Sequence, residues 1–276
     1  MNIKKVKAVY FSPCKSTGKL TERIAFRVAK LLDVPAEIID FTLPKARENK
    51  YLFKKDELAV FGLPTYAGRI PNKILPFVKE GFLAESTPAI CIVTYGNRSF
   101  DSSLTELLSE TGNNGFKALA LSAWPCRHVF SDKIAIGRPS EEDLKKADYF
   151  AERARDLIKK YKSADDIKSP SIPGKEEVLP YYSPKKDDGE PAVFLKAKPK
   201  TDSGKCINCG VCASVCPMGS VSYKNFSEVN GICIKCQACI KNCPEQAKYF
   251  DDEAFLSHVR MLENNFTAKK EPEIYI

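Results

Sequence analysis

The sequence predicts a doubly wound, five-stranded parallel α/β sheet followed by a small cysteine-rich α+β unit. Three observations predict this. Residues 1–162 alternate short apolar runs with amphipathic stretches, residues 163–200 break that pattern with prolines, and residues 201–250 repeat one cysteine pattern twice. A chain of 276 residues also exceeds one typical domain of about 100–200 residues, so more than one unit is expected.

The five strand candidates are residues 6–11, 36–41, 58–63, 89–94 and 116–123. Several are apolar almost throughout, as strands buried on both faces of a parallel sheet should be. Between them Leu20, Ile24, Val28 and Leu32 recur at helical spacing, as do Leu104, Leu107 and Leu108. The last helix has the clearest signals. Ser140 caps it with Asp143 three residues on, and Leu144, Ala147, Ala151, Ala154, Ile158 and Tyr161 form one face. Strict alternation of strand and helix gives a doubly wound sheet.

Residues 163–200 hold Pro170, Pro173, Pro180, Pro184, Pro191 and Pro199. At about 5% average usage, two would be expected, so the segment reads as a stiff, extended linker. Tyr181, Tyr182 and the run Val193, Phe194, Leu195 are its candidate pins to a neighbouring surface. Residues 251–276 read as a C-terminal tail.

No apolar stretch approaches the roughly 18 residues of a membrane span. The basic start is followed by an apolar run that ends at Ser12-Pro13, a first strand and not a signal peptide. A cytoplasmic protein without a membrane span is expected. Residues 201–276 carry eight Lys or Arg against nine Asp or Glu, so the positive charge lies wholly in the first 200 residues. Its lysines are dispersed and not interleaved with aromatics, which argues against nucleic acid as a partner.

Of eleven cysteines, eight lie between Cys206 and Cys243. Clustered thiols in a reducing compartment favour metal over disulfides. Cys206, Cys209, Cys212 and Cys216 recur at Cys233, Cys236, Cys239 and Cys243, each shifted by 27 residues. Each copy reads C-x-x-C-x-x-C-x-x-x-C-P. In two-cluster proteins the fourth cysteine of such a run ligates the other cluster. Cys206, Cys209, Cys212 and Cys243 are therefore assigned to one [4Fe-4S] centre, and Cys233, Cys236, Cys239 and Cys216 to the other. Structural zinc takes two C-x-x-C pairs with a longer spacer, which this duplicated run fits poorly. Residues 201–250 resemble a bacterial-type two-cluster ferredoxin.

In an open parallel sheet, ligands bind beyond the carboxyl ends of the strands. Three loops stand there. The first, from Ser12 to Thr21, offers Ser12, Ser16, Thr17, Gly18 and Thr21 at a helix start, suited to a phosphate. A Walker A loop is excluded, because Pro13 replaces its first glycine and Leu20 follows Gly18-Lys19. A Cys-based phosphatase loop is excluded as well, with Leu20 where its arginine is required. The second loop offers Pro64, Thr65, Tyr66 and Gly68, the third Tyr95, Gly96, Asn97 and Arg98. Tyr66 and Tyr95 would be aromatic faces for a planar ring.

These loops in this order resemble flavodoxin, which implies FMN, its phosphate in the first loop and its isoalloxazine between the other two. Flavodoxin's phosphate loop is a compact T-x-T-G-x-T. Here Ser12 and Thr21 stand farther apart, so the loop reads as lengthened, with Cys14-Lys15-Ser16 inserted. Both halves together resemble the EFR1 family of ferredoxins, in which a flavodoxin-like domain precedes a two-cluster ferredoxin domain. The supporting stretches are Gly62-Leu63-Pro64, residues 66–71, residues 95–98, Gly137-Arg138-Pro139 and both cysteine runs.

Of the remaining cysteines, Cys14 reads as an unreactive loop thiol before a helix, with redox activity the alternative, and Cys91 as core. His128, beside Cys126, reads as structural before it reads as a proton donor to a reduced ring. His258 in the tail carries no hypothesis. No hydrolase pattern is present, and no catalytic acid–base pair is identified. The expected function is electron transfer between two clusters and FMN, with an unidentified protein donor and acceptor. The alternative is an iron–sulfur redox sensor or adaptor whose first half docks a partner without flavin.

Overall fold

A computed structural model describes all 276 residues. The strands are β1 (Lys5–Tyr10), β2 (Ala36–Asp40), β3 (Tyr51–Phe53), β4 (Glu57–Pro64), β5 (Phe82–Ala84), β6 (Thr87–Tyr95), β7 (Phe116–Pro125), β8 (Lys200–Thr201), β9 (Lys248–Tyr249) and β10 (Glu273–Tyr275). The helices are α1 (Ser16–Leu32), α2 (Leu75–Glu80), α3 (Ser103–Asn113), α4 (Glu141–Lys160), α5 (Val211–Ser214), α6 (Ala238–Lys241) and α7 (Glu253–Asn265).

All five expected strands form, each within two residues of its expected ends. They pair in parallel in the order β2-β1-β4-β6-β7. This is the 2-1-3-4-5 order of the flavodoxin-like doubly wound sheet, with its ligand edge at the carboxyl ends of the strands around β1 and β4. Burial explains the composition. Central β6 is buried at every residue and β4 at all but its last, whereas outer β2 buries only Ile39. Helices α1 and α4 cover one face through Leu20, Ile24, Val28, Ala147, Phe150 and Ile158. Residues of α2 and α3, among them Val78, Leu104 and Leu107, cover the other.

Local signals act as read. Ser140 Oγ accepts from the Asp143 N–H at 3.3 Å, and Asp143 Oδ2 accepts from the Ser140 N–H at 2.8 Å. Gly62 lets α1 sit close on β4, since a Cβ there would lie 1.8 Å from Thr21 Oγ1.

The sheet has a sixth strand that the sequence reading assigned to a tail. Residues beyond 250 form α7 and then β10, which runs antiparallel to β7 with Ile274 opposite Ser122. Three residues alternating charged, apolar and aromatic are too short a signal to read as a strand. The proline-rich segment crosses the loop edge of the sheet, where the Tyr182 N–H donates to Ala67 O at 2.8 Å and Tyr181 Oη to Ile70 O at 2.9 Å. No helix is long and apolar enough to cross a membrane.

Candidate functional site

The two cysteine runs fold alike. Asn208 and Lys235 both take positive φ (55° and 56°), as do Gly210 and Gln237 (76° and 65°) and Gly219 and Gln246 (59° and 51°). Helices α5 and α6 follow at equivalent places, and β8 pairs with β9 to close the unit. The left-handed turns expose backbone N–H groups toward the sulfurs. The N–H groups of Ser220 and Ala247, themselves 27 residues apart, donate to Cys216 Sγ and Cys243 Sγ at 3.3 Å. The Lys235 N–H donates to Cys233 Sγ at 3.4 Å. Such bonds stabilise thiolate and tune the potential of a bound cluster.

Each run contributes to both of two cavities. One is lined by Cys206, Cys209, Cys212 and Cys243. The other is lined by Cys216, Cys233, Cys236 and Cys239. The fourth cysteine of each run thus lines the cavity of the other run. All eleven cysteines are free thiols. No three His, Cys, Asp or Glu side chains converge on a point that would hold a single ion. The four cysteines that line each cavity make up the ligand set of one cubane cluster. Burial pushes the Cys239 thiol up to about 12 and raises Cys212 and Cys233. These cysteines become thiolates only against bound cation.

The loop after β1 differs from its expectation. Helix α1 already begins at Ser16, and Lys15 before it is left-handed, φ 69°. Laid on residues 12–17, the T-x-T-G-x-T pattern places its glycine at Lys15, so the turn is compact and carries no insertion. Gly18 and Thr21 lie inside α1. Thr21 Oγ1 donates to Thr17 O at 2.8 Å and faces Gly62 in the core. Ser12 Oγ accepts from the Gly18 N–H at 2.9 Å, and Thr17 Oγ1 pairs with Thr94 Oγ1 at 2.7 Å. Ser16 is half-buried, while Lys15 and Lys19 are exposed. Cys14 and Lys15, outside the expected set of site residues, complete the turn; a lysine gives no warning that its backbone takes a glycine conformation.

The second loop turns tightly. Tyr66 and Arg69 exchange two backbone hydrogen bonds of 2.8 and 3.1 Å across Ala67 and Gly68, both at positive φ. Pro64 ends β4, and Thr65 Oγ1 pairs with Ser103 Oγ at 2.6 Å. Burial raises the Tyr66 phenol well above its usual range, with the neighbouring Cys236, Cys14 and Cys233 adding to the effect. Tyr66 is half-buried and is not among the residues that line the second four-cysteine cavity.

The third loop turns inward. Tyr95 is 4% exposed, packs on Phe100 and is pushed up to about 12 by burial. It offers no open ring face, because its place at the end of fully buried β6 points it into the core. His128 covers Gly96, where a Cβ would lie 2.2 Å from the imidazole Cδ2. Asn97 Nδ2 donates to Phe266 O and Ala268 O at 2.6 and 2.9 Å, leaving Asn97 Oδ1 buried without a partner. The Arg98 guanidinium lies 3.9 Å from the Tyr182 ring centroid. His128 Nδ1 accepts from the Phe130 N–H at 3.1 Å, a structural role. Burial pushes the Cys91 and Cys126 thiols up to about 12, consistent with inert core sulfurs.

The cysteine unit closes over this edge. Cys14 Sγ donates to Cys236 O at 3.0 Å, and burial pushes the Cys14 thiol up to about 11. Arg47 donates to Pro217 O, and Lys241 pairs with Asp132 at 2.6 Å.

Residues 201–249 match the family model of the 4Fe-4S dicluster domain. No curated protein matches the chain. Among solved structures, the chain is similar to a flavodoxin of Streptococcus pneumonia TIGR4, at 14% identity over 57% of this chain and 99% of that one, TM-score 0.40. It is similar to Megasphaera elsdenii flavodoxin at 12% identity over 53% of this chain and 98% of that one, TM-score 0.31. Rubredoxin oxygen:oxidoreductase of Desulfovibrio gigas aligns at 16% identity over 58% of this chain and 38% of that one, TM-score 0.36. The strand order, not these distant likenesses, carries the fold. The matched domain and its cysteine geometry support iron–sulfur binding and an electron-transfer role.

Proposed function

We propose that the protein is an electron carrier that holds two [4Fe-4S] clusters and, at the loop edge of its sheet, FMN. The crosswise lining of two cavities by four cysteines each is the observation that carries the reading. Cubane clusters exchange single electrons, and FMN supplies a group that exchanges one or two. The chain's own residues supply position and protection. Cys206, Cys209, Cys212 and Cys243 hold one cluster, and Cys216, Cys233, Cys236 and Cys239 the other.

For FMN the fit is strongest at the phosphate. The compact turn of residues 12–17 opens α1, whose amino end favours an anion, and exposed Lys15 and Lys19 add charge. Ser16 is the nearest hydroxyl not bonded elsewhere through its side chain. Ser12, Thr17, Gly18 and Thr21 shape the turn and its packing. Pro64, Thr65, Gly68 and half-buried Tyr66 would line the ring side in this reading. Gly96 lies under His128, Asn97 is buried against Phe266 and Ala268, and Arg98 stacks on Tyr182, so the third loop adds no open contact to the ring in this reading. The donor and acceptor are redox proteins in this reading, and the cytoplasm is its setting.

The test is the composition of anaerobically purified protein. About eight irons and as many sulfides per chain are expected from two cubes, with one FMN. Zinc with few irons would end the cluster reading; full iron without flavin would confine the protein to cluster chemistry.

A further inference from the structure

The two four-cysteine sites share one backbone but not one environment. Cys209 is exposed, and its repeat mate Cys236 is buried. Ile207 is 61% exposed, whereas its mate Ile234 packs against the apolar core of the sheet unit. Pro244 is exposed, whereas Pro217 is buried and its carbonyl takes the Arg47 guanidinium. Glu245 is exposed, whereas its mate Met218 packs on the same core as Ile234. Because the turns around the sulfurs are equivalent, the difference comes from what lies outside them. The segments after β1 and β2 cover one site only, through the Cys14–Cys236 hydrogen bond of 3.0 Å and the Arg47–Pro217 hydrogen bond.

We propose that the site of Cys216, Cys233, Cys236 and Cys239 is internal, sealed by Cys14 and Arg47. The site of Cys206, Cys209, Cys212 and Cys243 is then the port at which an external one-electron carrier meets the chain. This rests on the reading that each site holds a cluster. Electron transfer weakens steeply with distance, so a carrier that cannot displace the sheet unit reaches the first site through Cys209 and Ile207. One electron moves at a time: a reducing carrier is oxidised as the first site is reduced, and the first is reoxidised as the second is reduced. No bond forms or breaks. Cys14 and Arg47 are positioning residues in this scheme.

The test uses the anaerobic holoprotein and the ferrous chelator bathophenanthroline disulfonate, with released iron followed in time. Iodoacetamide added at intervals marks vacated cysteines, which peptide mass spectrometry locates. Half the iron is expected to leave in a fast phase, with alkylation at Cys206, Cys209, Cys212 and Cys243, and the other half slowly. Cys14→Ala and Arg47→Ala should each accelerate the slow phase and leave the fast one unchanged, and Cys14→Ser, which keeps the donor to Cys236 O, should restore slow release. A single phase, early alkylation of Cys236, or variants that leave the slow phase untouched would overturn the proposal. The iron content before chelator is added reports separately on the cluster reading. A wild-type protein with two clusters' iron and one-phase release sinks the inference alone.

Discussion

The sheet half buries apolar residues in two layers, 24 on one side and 23 on the other. The cysteine half encloses only Cys212, Ala213 and Val221 in a cluster of its own. So small a unit cannot bury enough apolar surface to offset the entropy of ordering its loops, and units of this size are held by metal or disulfides. Its cysteines form no disulfide. The two halves are therefore stabilised by different physics: close packing in one, ligand bonds in the other.

The strongest way to break this contrast is to remove the iron. Chelation should unfold residues 201–250 and leave the sheet intact, because cluster binding is folding free energy there. Hydrogen exchange would show it as lost protection of the Ala247 and Ser220 amides beside retained protection in β4 and β6. Equal protection with and without iron would refute the contrast.

A core truncation tests the other half. Phe61 is fully buried against Phe53, Phe82 and Phe116, with ring centroids 6.2, 5.4 and 4.9 Å away. Phe61→Ala should cost about 3–5 kcal/mol of sheet stability in denaturant unfolding. Iron content should not change.

The smallest effect is expected at the seam. Burial, with His258 and Arg98 nearby, pushes His128 down to about 4 from an ordinary 6.5, and burial lowers His258 as well. The unfolded chain then binds protons that the folded one refuses. Stability from these two groups is complete above pH 6.5 and declines as pH falls from there toward 4. His128→Gln should flatten part of that decline in a melting-temperature series between pH 7 and 4. An unaltered slope would remove His128 from the seam's energetics.

Most of the sheet was legible because buried parallel strands write themselves as apolar runs, and Ser140 and Asp143 announced their own helix. The cysteine repeat was legible because ligand spacing is local. The phosphate turn was misread for a physical reason: Lys15 takes a left-handed conformation that glycine usually marks, so Gly18 and Thr21, already helical, were given its place. Tyr95 read as a ring face because sequence shows that a tyrosine ends a strand, not which way it points. The contacts of Cys14 with Cys236 and of Arg47 with Pro217 join residues 222 and 170 positions apart. No local pattern encodes them.

The antiparallel pairing of β10 with β7 gives the cysteine half a second leash. One leash leaves the sheet after α4 and the other returns to it through α7, so a lapse at the seam opens a closed loop and frees nothing. Re-docking is then unimolecular within a small search volume, and its rate does not depend on protein concentration. Whatever passes between the halves is spared the wait for a diffusional encounter.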